Sequence, residues 1–205
     1  MKFLKKVSPF RLIFLIILLA GNTFAWFIYT SKVDGAVNVH VKGWDVVFQA
    51  QNTELSHSVD IDVSSIYPGM EDYEYEITAY NRSEVSANLT YVILEANVLG
   101  TLYVSVEGRA DRGEDPVATD LTSAQLLNKL ANDFPFTITF TVTGSNLQAE
   151  LGEQDCVLEV VWPFEQNDDE TDTEWGIAAA TYKSTHPDLP SISVRIKLTI
   201  TQNPS

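Results

Sequence analysis

The stretch that decides the fold is Ile192-Ser193-Val194-Arg195-Ile196-Lys197-Leu198-Thr199-Ile200, near the C-terminus. Apolar residues alternate with polar or charged ones, so that all the apolar side chains project from one side of an extended chain. A strand with one apolar and one polar face is typical of an antiparallel sheet that covers a core on one side. The stretch therefore predicts a half-buried strand.

The same period of two recurs along most of the 205-residue chain and predicts about nine strands. The alternating or uniformly apolar runs are 37–41, 44–50, 59–63, 73–79, 85–93, 102–106, 134–142, 157–162 and 192–200. Sheets with one apolar face bury that face by packing against each other. The sequence therefore predicts an all-β fold, an antiparallel β-sandwich of jelly-roll type, with a tight turn at Tyr67-Pro68-Gly69.

Two helices interrupt the strand pattern. Thr122-Ser123-Ala124-Gln125 fits a capping box, and the leucines after it are spaced to lie on one helical face. A second short helix is predicted within 175–183. The segments 107–120 and 165–174 are rich in charge or turn-forming residues and are predicted to be loops.

The N-terminus has the three parts of a secretory signal. Lys2, Lys5 and Lys6 precede an unbroken apolar run at 12–20, and Thr23 and Ala25 supply small residues before a cleavage site between Ala25 and Trp26. An uncleaved membrane anchor is the alternative, because apolar residues continue to position 29 and the whole stretch is long enough to span a bilayer. We expect three segments: a signal or anchor at 1–25, an N-terminal strand segment at 26–36 and a single domain at 37–205.

Removal of the signal makes the protein more acidic. The net charge of −15 combines 13 basic and 28 acidic residues, and no acidic residue lies within 1–25. This acidity argues against binding to nucleic acid, which needs Lys and Arg at the phosphates. It suits an exported protein that meets the membrane only transiently, or through an uncleaved N-terminus. The single cysteine, Cys156, excludes a disulfide framework and is interpreted as a buried thiol.

A search for catalytic and metal-binding motifs finds none, so we expect no enzyme, cofactor or metal. Two weaker alternatives stay open. His40 and His57 would approach each other if their strands paired, and the acidic run at 165–174 offers oxygen ligands for calcium. Solvent-exposed histidines and a solvated acidic loop are the simpler interpretations.

The mature N-terminus is the most informative segment. Trp26, Phe27, Ile28 and Tyr29 are bulky apolar residues that are costly to leave in water. They form either the first strand of their own domain or a strand that is added to a sheet of another subunit.

The sequence resembles the TasA–camelysin family of secreted proteins from Gram-positive bacteria. The resemblance rests on a signal that ends at 21–27, the segment 31–35, the turn at 67–69, and two C-terminal patterns, Trp162-Pro163-Phe164 and Asp172-Thr173-Glu174-Trp175-Gly176. It implies a jelly-roll domain that is exported through a signal peptidase and located in the extracellular matrix or at the cell surface.

The resemblance further implies a function in assembly. TasA-like subunits form biofilm-matrix fibres in which the segment after the cleavage site adds a strand to the next subunit; here that donor would be residues 26–34. The partners would be other copies of the chain or related matrix subunits. Some camelysin members are surface metalloproteases, but this chain lacks a recognisable zinc motif.

Overall fold

The computed structural model describes residues 45–164 and 169–203. This part of the chain contains ten strands and three helices. The predicted signal at 1–25, the N-terminal strand segment at 26–36 and the predicted strand at 37–41 lie outside the described residues.

Five strands form a first antiparallel sheet, sheet I, in the order β2-β1-β4-β9-β7. Its strands are β1 (Val46–Ala50), β2 (Thr53–Leu55), β4 (Tyr73–Asn81), β7 (Thr137–Val142) and β9 (Gly152–Val161). The predicted apolar run at 157–162 covers the second half of β9 and the residue after it; β9 is an inner strand that pairs with β4 on one side and β7 on the other.

The other five strands form sheet II, in which β3, β10, β5 and β6 follow one another and β8 also pairs with β5. Its strands are β3 (Ser58–Val63), β5 (Ala87–Val98), β6 (Thr101–Val104), β8 (Asn146–Leu147) and β10 (Ile192–Gln202). The stretch that begins at Ile192 becomes β10, an inner strand between β3 and β5. Inward residues of both sheets form one apolar core, which confirms the prediction of an all-β protein built from two antiparallel sheets.

The capping-box helix is confirmed as α2 (Ser123–Asn132). The Thr122 hydroxyl accepts a hydrogen bond from the Gln125 amide, and the Gln125 side chain accepts one from the Thr122 amide. Leu126 and Leu130 are fully buried and anchor the helix on the core.

Several sequence predictions need correction at the other two helices and the strand before them. Val106 begins a helix, α1 (Val106–Asp111), so the predicted loop at 107–120 and the predicted strand at 102–106 are each partly wrong. The second predicted helix is longer than expected: α3 spans Asp169–Thr185 and includes part of the predicted acidic loop. Leu102, predicted to face the core, is 51% exposed in the short strand β6.

A β-bulge shifts the pattern of β5. Arg195 of β10 pairs with Glu95, whereas the next residue, Ile196, pairs with Ile93, which leaves Leu94 as an extra residue. The bulge moves the buried positions of β5 to the opposite parity after Ile93. The Leu94 carbonyl accepts hydrogen bonds from both the backbone and the side chain of Ser105, which caps α1.

The predicted turn at Tyr67-Pro68-Gly69 is confirmed. The Met70 amide donates to the Tyr67 carbonyl, and Gly69 has a φ of +76°, which favours glycine. The Gly69 amide also donates to the carbonyl of Trp162 at 2.8 Å. This hydrogen bond ties the turn to the end of β9.

Candidate functional site

The residues that could carry catalysis do not converge in the described part of the chain. His57 and His186 are both exposed, whereas Cys156 is fully buried. Residues 45–164 and 169–203 contain no group of three His, Cys, Asp or Glu side chains placed to hold a metal ion. His40, the other member of the predicted histidine pair, lies outside these residues.

The acidic run has a structural function in its described portion. Asp172, in the first turn of α3, is 6% exposed and accepts a hydrogen bond from the indole nitrogen of Trp162 at 2.9 Å. Residues 165–168 are outside the described part. The charge density of this run predicted a loop, and no sequence motif connects Trp162 with Asp172, ten residues further on.

Cys156 lies within β9, and burial raises the pKa of its thiol to about 11. We expect thiol reagents at pH 8 to modify the unfolded chain but not the folded one.

Because the Cys156 thiol ionises at a lower pH in the unfolded chain, the free energy of unfolding should fall as pH rises from about 9 to 11, by roughly 2 to 3 kcal/mol at the standard conversion. Chemical denaturation across this pH range, compared with Cys156→Ala, measures the effect; identical pH slopes would contradict it.

The edges of the two sheets differ in how well they are protected against further pairing. β2 has three residues and β6 has four. β3 carries Asp60 and Asp62, and edge charges of this kind discourage pairing with another strand. β7 has six uncharged residues of high β propensity, Thr-Ile-Thr-Phe-Thr-Val, and α2 packs beside it.

A groove runs beside the β7 edge. It has a volume of about 630 Å³ and lies between β7, the middle of β5 and one face of α2. Its main lining residues are Tyr91, Ala124, Leu127, Ala131, Thr139 and Phe140. Tyr91 and Phe140 form an edge-to-face contact, with ring centroids 4.7 Å apart, that connects the two sheets at this point.

The β5 edge that borders the groove is also open in its middle. β8 pairs with β5 at Ala87 and Asn88, and β6 pairs with it from Glu95 onward. On this side of β5, the Leu89 amide donates to the Ser145 carbonyl and the Ile93 amide donates to the Ser123 hydroxyl. Tyr91 lies between them with the same parity, so its backbone amide also points away from β10.

The groove carries little charge of its own. Glu107 is the one charged residue that lines it, and its carboxylate accepts a hydrogen bond from the Ser123 amide at 2.8 Å. By contrast, the outer face of sheet II carries ion pairs, in which Arg195 contacts Asp60 at 2.6 Å and Glu95 at 3.0 Å. The groove is therefore suited to an apolar occupant.

No family model, no curated protein and no solved structure matches this chain. Within the described ranges, no helix is both long and apolar enough to cross a membrane.

The residues predicted for cleavage and assembly are not described by the structure. Thr23 and Ala25 of the cleavage site lie outside the described residues, as do Trp26, Phe27, Ile28 and Tyr29 of the candidate donor strand. Sequence reasoning did not find the groove, because its walls come from three segments whose proximity depends on strand order. The absence of charge from 137–142 was the one signal that the sequence offered for this part of the groove.

Proposed function

We propose that the chain is a secreted, non-enzymatic structural subunit that assembles by adding its N-terminal strand to a sheet of a neighbouring copy. The observation that carries the proposal is the apolar groove between α2 and the uncharged edge strand β7. An uncharged edge strand can offer backbone donors and acceptors to a further strand. The candidate for such a strand is the apolar sequence Trp26–Tyr29.

The resemblance to TasA-like proteins supports the same proposal. It adds a jelly-roll topology, export through a signal peptidase, and a place in an extracellular biofilm-matrix fibre formed by copies of the chain or related subunits. The net charge is −19 once residues 1–25 are removed. Because like charges repel, strand addition and apolar burial have to provide the attraction between subunits.

Deletion of residues 26–34 from the mature protein tests the proposal. We expect fibres, observed by electron microscopy, in the protein that starts at Trp26 and none in the deletion variant. A second variant keeps the length and replaces Trp26, Phe27, Ile28 and Tyr29 with serine, so that apolarity alone is changed. Unchanged fibres in both variants would refute the proposal.

A membrane-tethered surface protein is the second candidate, supported by the apolar residues that continue beyond the predicted cleavage site to Tyr29. N-terminal sequencing of protein from its native host separates the two. A first residue of Trp26 supports the secreted subunit, and an intact Met1 supports the tethered protein.

The family's metalloprotease activity gains no support from the described residues, in which His57 has no neighbouring group able to complete a metal site. Zinc binding by the full mature chain, together with chelator-sensitive cleavage of casein, would favour that activity instead. We expect neither result.

A further inference from the structure

We propose that the outer face of sheet II carries a binding site for an oligosaccharide that contains amino sugars. The site is a pocket of about 340 Å³ where sheet II meets the C-terminal part of α3. Its lining residues come from β3, β5, β6 and β10, from α3, and from the loop that follows α3. This surface is separate from the groove beside β7, so the site stands apart from the proposed function.

The floor of the pocket is a row of polar side chains on neighbouring strands. Ser193 of β10 pairs with Asp62 of β3 on one side and with Asn97 of β5 on the other. Directly paired residues project from the same face of an antiparallel sheet. This is the outer face, because Val194, the next residue of β10, is fully buried in the core. A carboxylate, a hydroxyl and an amide therefore lie side by side over two strand spacings, or about 9–10 Å.

The three floor groups retain hydrogen-bonding capacity for a ligand. The side-chain oxygen of Asn97 accepts a hydrogen bond from the Gly100 amide at 2.9 Å, which orients the side chain and leaves its NH₂ group as a donor. Among the described residues, neither the Ser193 hydroxyl nor the Asp62 carboxylate has a hydrogen-bond partner. A donor, an acceptor and a hydroxyl that can act as either match the hydroxyl groups around the edge of a sugar ring.

The wall of the pocket is apolar. It is formed by Tyr182 of α3, by Leu189 and Pro190, and by Leu102 of β6. Leu102 and Leu189 are each about half exposed, at 51% and 49%. A sugar ring has hydroxyl groups at its edge and C–H bonds on its faces. A polar floor beside an aromatic and aliphatic wall matches both surfaces of such a ring.

The charges around the floor favour a ligand that carries ammonium groups. Arg195 contacts both Asp60 and Glu95, and Arg112 also contacts Glu95, so each of these two carboxylates has a guanidinium partner. Asp62 is the one lining carboxylate without a basic partner within the described residues. An ammonium group on the ligand would supply the missing positive charge through a charge-assisted hydrogen bond.

A second cleft favours several linked sugar units over a single sugar. Leu102 lines both the pocket and a cleft of about 790 Å³ between β6 and α2. The second cleft is lined by the amide side chains of Gln125 and Asn128 and by Tyr103. Two clefts that share Leu102 and combine polar with aromatic groups suit a ligand that extends from one to the other.

Titration calorimetry of the mature protein with three short probes tests the ligand class. The first probe is a chitosan trimer, which is built from glucosamine, and the second is cellotriose, a neutral trimer of glucose. The third is trilysine, which carries ammonium groups but no sugar. We expect the chitosan trimer to bind most tightly. Equal or tighter binding of cellotriose would overturn the assignment to amino sugars, and equal or tighter binding of trilysine would overturn the assignment to a carbohydrate. Failure of the chitosan trimer to bind would overturn the inference as a whole.

A pair of charge variants locates the site. Asp62→Asn removes the unpaired carboxylate, and Glu74→Gln makes the same change of charge at an exposed strand position of sheet I. We expect Asp62→Asn to weaken binding of the chitosan trimer about tenfold or more and Glu74→Gln to change it by less than about twofold. Equal weakening by the two variants would indicate general attraction to an acidic protein and would refute the site.

A pair of uncharged variants tests the floor without changing the net charge. Ser193→Val removes the hydroxyl and fills the floor with a β-branched side chain that suits a strand. Thr199→Val is the control, because Thr199 lies on the same face of β10 but six residues away, or about 20 Å. We expect loss of binding with Ser193→Val only, while thermal unfolding shows that both variants are folded. Full binding by a folded Ser193→Val variant would contradict the inference, and normal fibres in these variants would leave the proposed function intact.

Discussion

Trp162→Ala is expected to lower the free energy of unfolding by about 4 kcal/mol or more. Trp162 is fully buried, and its ring centroid lies 5.1 Å from that of Phe136. Truncation of a buried aromatic residue costs about 3–5 kcal/mol through lost burial and the cavity that remains. The variant also removes the hydrogen-bond donor of Asp172, which is itself buried. Unsatisfied buried acceptors add roughly 1–3 kcal/mol.

Urea denaturation measures this loss, and two conservative variants divide it. Trp162→Phe keeps an aromatic ring but removes the indole N–H. Asp172→Asn keeps an acceptor oxygen for the Trp162 indole and should be milder than Trp162→Ala. Since single domains have about 5–15 kcal/mol of stability in total, Trp162→Ala should be close to unfolding at 37 °C. A loss below about 1 kcal/mol would contradict the packing described here.

Gly108→Ala is expected to destabilise the protein, although alanine is favoured over glycine by about 1 kcal/mol in an ordinary helix. Gly108 is buried in α1 against the bulge of β5. A methyl group at Gly108 would stand 2.8 Å from the carbonyl carbon of Leu94 and closer still to its oxygen. That oxygen already accepts two hydrogen bonds from Ser105. The backbone therefore has to shift, at a cost of about 1–3 kcal/mol or more.

Gly113→Ala is the matched control for this variant. Gly113 has a φ of +74°, but an added methyl group would meet no atom within 4 Å. Its cost is backbone strain alone, about 1–2 kcal/mol. Thermal unfolding of the two variants compares a steric clash with a conformational strain. A Gly108→Ala protein as stable as wild type would show that α1 and β5 do not approach each other as described.

The strands were predictable where burial alternates without interruption. The residues at 192–200 and 59–63 show such alternation, and both lie in strands of the structure. The capping box predicted α2 for a similar reason, because its hydrogen bonds join residues that are close in sequence. These elements depend on local chemistry, which a single sequence displays.

The missed features depend on contacts between distant residues. α1 has no apolar stripe, and its short sequence, Val-Glu-Gly-Arg-Ala-Asp, is held by Ser105 and by close packing on Leu94. The bulge in β5 requires the same contact. The start of α3 has a sequence typical of a solvated acidic loop. Its contact with the core depends on the hydrogen bond between Trp162 and Asp172, which are ten residues apart. The groove depends on strand order, which alternation does not encode.

Under the proposed assembly, each molecule has two binding elements. The groove beside β7 would give a subunit one acceptor, and the N-terminal segment would give it one donor. Links of this kind join subunits end to end without branching, and the two ends of the chain of molecules are chemically different. One end presents an empty groove and the other a free apolar strand, so growth should be polar. An isolated strand peptide should block the end with the empty groove, and a subunit that lacks residues 26–34 should block the end with the free strand. Either reagent should then stop elongation in one direction only.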